Sequence, residues 1–171
     1  MKSLLLFMFL SLTVPGVHTG MTDPVIIVNK ASNELAFFDK GKLQNVYPVA
    51  TGKTEALTPT GTFTIKVKAK DPYYRKKNIP GGDPRNPLGS RWIGFDAKGT
   101  DGRIYGVHGT NQPSSIGRNV SQGCIRMHNK NVEALYDKVP NGAKIVIVNE
   151  DRKFEAIYDE YLKNRLSQQF Q

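Results

Sequence analysis

Hydrophobic and polar positions alternate in short runs over most of this chain. Val25-Ile26-Ile27-Val28, Glu34 to Asp39 and Leu43 to Ala50 are separated by the turn-forming stretches Asn29 to Asn33 and Asp39-Lys40-Gly41-Lys42, a spacing that predicts a β-meander. Phe63 to Lys70 alternates without a break, which predicts a strand with Phe63, Ile65, Val67 and Ala69 on one face and Thr64, Lys66, Lys68 and Lys70 as a solvated row on the other. Arg91 to Phe95 and Arg103 to Val107 read as two more strands and Ala143 to Val148 as the last. The period becomes helical twice. Val132, Leu135, Tyr136 and Val139 recur at i, i+3, i+4, i+7 and predict a helix over 130–139 capped by Asn129, and Phe154, Ile157, Tyr158, Tyr161 and Leu162 place a second over 152–166. Strands at this spacing with few helices predict a mainly β fold, a sandwich or barrel.

Two stretches break the pattern. Asp71 to Ser90 carries Pro72, Pro80, Pro84 and Pro87 with glycines among them, too many breakers for regular structure. An irregular stretch that long inside a compact domain is often functional, and it is expected to form one wall of a cleft, with Tyr73 and Tyr74 either facing a ligand or pinning the loop to the core. The other is at the N-terminus, where Lys2 precedes the apolar run Leu4 to Leu10 and the exit Pro15-Gly16-Val17-His18-Thr19-Gly20. This reads as a secretory signal peptide over 1–20, too short in its apolar part for a spanning helix.

Composition changes the picture in two respects. The chain has 171 residues, enough for one domain, with 24 basic and 15 acidic side chains and a formal charge of +9; with Lys2 in the leader, 23 basic side chains remain, for +8. A basic exported surface suits anionic cell-wall polymers, while no RNP, zinc-finger or helix-turn-helix pattern favours nucleic acid. The single cysteine excludes an internal disulfide, so the thiol is a buried hydrophobe, an intermolecular link or a reactive group.

That cysteine, Cys124, lies in the stretch Val107 to Met127, between Gly123 and Ile125, with His108 sixteen residues upstream across a loop rich in Gly, Ser, Asn and Pro. A thiol is nucleophilic as thiolate, and an imidazole that takes its proton and returns it to a leaving amine is the Cys-His form of acyl-transfer chemistry. No Asp or Glu lies between Asp101 and Glu133, so the group orienting the His108 ring is expected to be a backbone carbonyl near Gly109. Gly123 frees the backbone so that the Gly123 and Cys124 amides are candidate oxyanion donors. Arg126 projects to the Cys124 side of an extended segment, there to raise thiolate character or to bind a carboxylate. Two alternatives stay open: zinc held by His108, Cys124 and His128, and a structural thiol.

His108-Gly109 followed by Ser121-x-Gly123-Cys124-Ile125-Arg126-Met127 resembles the signature of the bacterial YkuD-type L,D-transpeptidase catalytic domain. The resemblance continues through Thr58-Pro59-Thr60-Gly61-Thr62-Phe63, Asn86-Pro87-Leu88-Gly89 and the Leu135-Tyr136 to Val139-Pro140 helix end. It implies a β-sandwich with one helix after the active-site segment and a C-terminal helix, the catalytic domain spanning 24–150 and a helical extension 151–171. It implies Cys124 as nucleophile, His108 as base, the Gly109 carbonyl as its orienting group, the Gly123 and Cys124 amides as oxyanion donors, and Arg126 and Ser121 in substrate binding. Gln122 departs from the histidine many members have there. The implied activity is peptidoglycan cross-linking by an exported, monomeric transferase through a cysteinyl acyl-enzyme, with stem peptides as partners and no cofactor or metal. An L,D-carboxypeptidase on the same site and a non-catalytic wall-binding protein are the alternatives.

Overall fold

The computed structural model describes residues 23–170, so the expected leader lies outside the described residues. Ten strands and two helices follow in order: β1 (Val25–Asn29), β2 (Glu34–Asp39), β3 (Lys42–Pro48), β4 (Thr51–Gly52), β5 (Gly61–Lys70), β6 (Arg91–Phe95), β7 (Tyr105–His108), β8 (Asn119–Ser121), β9 (Ile125–Arg126), α1 (Asn129–Lys138), β10 (Lys144–Val148) and α2 (Phe154–Gln169). Eight of the strands form one mixed sheet in the order β3-β2-β1-β10-β5-β6-β7-β9, and β4 pairs with β8. The fold is mainly β, as the sequence predicts, but its two layers belong to one curled sheet.

The curl is visible in the hydrogen bonds of the two edges. Beyond β3 the chain reaches Ala50, whose N–H and carbonyl both bond Arg126 of β9, the strand at the opposite edge, at 2.9 Å each. The sheet therefore nearly closes on itself, which removes most of the unpaired edge. A common interior of Ile26, Leu35, Phe37, Ile65, Ile93, Val107, Ile125 and Ile145 then forms inside the curl, with Tyr47 of β3 packed against it and Val132 and Leu135 of α1 sealing it.

β1 explains its own unbroken apolar run. It lies between β2 (antiparallel) and β10 (parallel), with Ile26 and Val28 in that interior and Val25 and Ile27 in a second cluster on the opposite face. Ile157, Tyr158 and Tyr161 of α2 close this second cluster, with Tyr158 stacked on Phe38 at 4.2 Å between centroids. A strand buried on both faces has no polar side to alternate with.

Two local expectations are corrected. The register of β5 against β6 shifts between Ile65 and Val67, and this irregularity turns the strand over. Lys68 thereby comes opposite Ile93, on the α1 face, where its ammonium donates to the Tyr136 carbonyl at 2.7 Å and sits over the Tyr136 ring. Lys66 stays on the other side, paired with Asp96 at 3.4 Å, so the solvated lysine row does not form. Asn129 is not the cap of α1. His128 holds that position without a side-chain bond, and the Asn129 Oδ1 instead accepts from the Thr110 amide at 3.0 Å and the Ser90 amide at 3.4 Å.

Candidate active site

β7 and β9 are parallel neighbours with Val107 opposite Ile125 and His108 opposite Arg126. Alternation sends Val107 and Ile125 into the interior and leaves His108 and Arg126 on the other face. Two residues before Arg126, Cys124 comes level with Gly106, at the start of β7. One short strand thus carries the thiol's surroundings at one end and the imidazole at the other, on one face.

His108 is 4% exposed. Trp92 of β6 is its cross-strand partner and stacks on the ring, centroids 5.6 Å apart, with the indole N–H donating to the Gly102 carbonyl at 2.8 Å. Gly106 gives the indole its room, since a Cβ there would stand 2.6 Å from it. The Nδ1 of His108 lies 2.5 Å from the Gly109 carbonyl. A carbonyl only accepts, so Nδ1 carries the proton and Nε2 keeps its lone pair. Burial dominates the titration and depresses the imidazole to about 4, with Arg126 acting in the same direction and the Gly109 and Leu88 carbonyls opposing it. The ring is neutral at pH 7.

Cys124 is half-buried in the bend between β8 and β9, and its Sγ donates to the Ile104 carbonyl at 3.4 Å. Burial raises the thiol above its ordinary value despite the Gly106 amide, Lys76 and Arg126, all of which favour the thiolate. The expected pull of Arg126 toward the thiolate is present, but desolvation is the larger effect. The starting pair is a neutral thiol and a neutral imidazole. Lys76 belongs to the irregular 71–90 stretch, which brings that loop beside the thiol.

The remaining predicted residues divide. Gly123 has φ +130°, and a Cβ there would stand 2.6 Å from the Leu57 carbonyl oxygen, so only glycine fits. Its amide, expected as an oxyanion donor, is already given to the Ser121 hydroxyl at 3.0 Å. Ser121 is 1% exposed and donates its own proton to the Cys124 carbonyl at 2.6 Å. It braces the turn from within, which corrects its assignment to substrate binding. Arg126 is partly exposed and forms no salt bridge among the described residues. His128 stands at the start of α1, and among the described residues no group of three or more His, Cys, Asp or Glu side chains is placed to hold a metal. No described helix is long and apolar enough to cross a membrane.

Three supports escaped the sequence reading of roles. Trp92 dries the imidazole. Asn129 ties the Gly109-Thr110 segment to the Gly89-Ser90 corner, with Gly89 and Gly109 so close to its Oδ1 that a Cβ on either would stand at 2.2 or 2.0 Å. Asn86 holds the 71–90 loop together by donating to the Pro72 carbonyl at 2.8 Å and the Pro80 carbonyl at 3.1 Å while accepting from the Leu88 amide at 2.9 Å. Trp92 and Asn129 act on groups distant in sequence, which no local pattern encodes.

The model of the L,D-transpeptidase catalytic domain, YkuD, matches residues 23–147. A Bacillus subtilis strain 168 protein that carries the name L,D-transpeptidase YqjB is 56% identical over 157 residues, covering 91% of this chain and 89% of its own. Among solved structures, an L,D-transpeptidase from Mycobacterium smegmatis is 25% identical with a TM-score of 0.58 over 74% of this chain. L,D-transpeptidase 3 of Mycobacterium tuberculosis, solved with a faropenem-derived adduct, gives 0.60 at 21% identity over 75%. The chain spans 58% and 61% of those two solved chains.

Proposed function

The chain belongs to the L,D-transpeptidase catalytic-domain family, and from that premise we propose that it is an exported cysteine acyltransferase that cross-links peptidoglycan stem peptides. The observation that carries this reading is the buried neutral imidazole, its Nδ1 proton held by the Gly109 carbonyl, on the strand face that also carries the lone thiol. That arrangement leaves Nε2 as the base.

Because thiol and imidazole both start neutral, attack and proton transfer are coupled. The Cys124 Sγ attacks the carbonyl of the third stem residue while its proton passes to Nε2 of His108. Collapse of the tetrahedral adduct breaks the amide C–N bond, and His108 returns the proton to the departing nitrogen of D-alanine. The amine of a second stem then attacks the thioester and gives its proton to His108, and cleavage of the S–C bond restores the thiol. Arg126, a cation beside the pair with no carboxylate partner among the described residues, is suited to a substrate carboxylate. Of the two amides first considered, the one on Cys124 is the oxyanion donor, since that of Gly123 is taken. The basic surface serves attraction to anionic wall polymers, which added salt will weaken.

Incubating purified protein with peptidoglycan and analysing the muropeptides tests this. Cross-linked dimers lost in Cys124→Ala are the expected result. Tripeptide monomers alone would make the enzyme a carboxypeptidase, and an unchanged profile would contradict the enzyme reading.

A further inference from the structure

Three of the four polar backbone atoms of Gly123 and Cys124 are tied by buried side chains. The Gly123 amide and the Cys124 carbonyl share the Ser121 hydroxyl. The Gly123 carbonyl accepts from the Thr58 Oγ1 at 2.9 Å. The fourth, the Cys124 N–H, is held by none of these bonds.

Thr58 is fully buried and sits 65 residues from its partner in the chain. Its Oγ1 also accepts from the Gly52 amide at 2.9 Å. A hydroxyl has one proton, and with a donor already facing its lone pair that proton is committed to the Gly123 carbonyl. The Gly123–Cys124 peptide is planar and trans, so fixing its carbonyl fixes the direction of the Cys124 N–H on the opposite side. The position of Thr58 is itself enforced. Lys30, 7% exposed, donates from Nζ to the Thr58 carbonyl at 2.9 Å and the Glu55 carbonyl at 2.7 Å, and the neighbouring Leu57 carbonyl packs against Gly123 where only a hydrogen fits.

We propose that Thr58 is a positioning residue of the acyl-transfer site: its hydroxyl, bonded by the Gly52 amide on a backbone that Lys30 grips through the Thr58 carbonyl, orients the Gly123–Cys124 peptide so that the Cys124 amide meets the developing oxyanion. This rests on the acyl-transfer reading above and adds to it the group that aims the donor. The Thr58 hydroxyl bonds the Gly52 amide and the Gly123 carbonyl and neither thiol nor imidazole, so its loss affects a step that builds negative charge on oxygen and spares one that does not.

Two reactions of the same thiol separate these. Acylation by imipenem forms the S–C bond, opens the lactam C–N bond and passes through an oxyanion, whereas alkylation by iodoacetamide displaces iodide and builds no oxyanion. Thr58→Val, which keeps the shape and loses the hydroxyl, is expected to slow acylation by about 10- to 100-fold, somewhat less than removal of a donor itself. Alkylation should stay within about twofold, because it follows thiolate fraction and access. Thr58→Ser should recover most of the acylation rate. Should Thr58→Val not fold, Lys30→Met removes the ammonium behind Thr58 and carries the same comparison, with a smaller loss expected. Equal slowing of both reactions, or acylation at the wild-type rate in the variant, overturns the proposal. A wild-type protein that takes no imipenem contradicts the acyl-transfer reading itself and this inference with it.

Discussion

On the β1–β2–β10 half of the sheet, the face turned away from the interior is closed by α2 through Val25, Ile27, Phe38, Ile157 and Tyr158. On the β6–β7–β9 half, the outer face carries Trp92, His108 and Arg126, with the 71–90 loop and the Ser121–Cys124 turn beside it. The first half is buried by apolar contact, which has no preferred direction and scales with area. The second is buried by side chains bonded to particular backbone atoms: Thr58 to Gly123, Ser121 to Cys124, Asn129 to Thr110. Each such bond fixes a peptide plane as well as closing a gap. Stability is therefore expected to be concentrated in one half and geometry in the other.

Perturbing each half should move a different observable. His108→Gln, on the polar half, is expected to lower imipenem acylation by about 10²- to 10⁴-fold, the usual contribution of a positioned base; an unchanged rate would remove His108 from the reaction. Ile157→Ala, beneath α2, should cost about 2–5 kcal/mol in denaturant unfolding and leave the acylation rate of the folded protein unaltered. A rate that falls with stability would erase the distinction between the halves.

Acid provides a graded test. His108 is about 4 when folded against 6.5 as its ordinary value, so its contribution is complete above pH 6.5. Below that, the unfolded chain takes up a proton that the folded one refuses, and stability should fall by roughly 1.4 kcal/mol per pH unit until about pH 4. In His108→Gln this part of the slope should vanish. The smallest effect is expected from Arg152→Ala, whose pairs with Glu150 and Glu160 are exposed and screened by solvent, so its denaturant midpoint should stay close to that of the wild type.

The apolar half was legible in the sequence because its information is local. β2 falls on the predicted residues, β1 and β10 within one residue of them, and the α2 stripe supplies the buried tyrosines. The polar half was legible in its reacting groups and not in its supports. Cys124, His108 and Arg126 stand out by type and spacing, whereas Thr58 and Gly123 are 65 residues apart and meet only because the sheet curls. The β5 irregularity escaped for a related reason: Phe63 to Lys70 alternates perfectly, and pairing with β6, not periodicity, decides where the strand turns over. Asn129 was given its commonest local role, a helix cap, and went instead to the amides of Thr110 and Ser90, 19 and 39 residues away.

If Cys124 is the acyl-accepting nucleophile, intact-protein mass spectrometry of the folded protein with imipenem will show it. One adduct of the drug's mass is expected, located on the peptide containing Cys124 and absent from Cys124→Ala. An unmodified wild-type mass, or an adduct that survives in Cys124→Ala, would contradict that role.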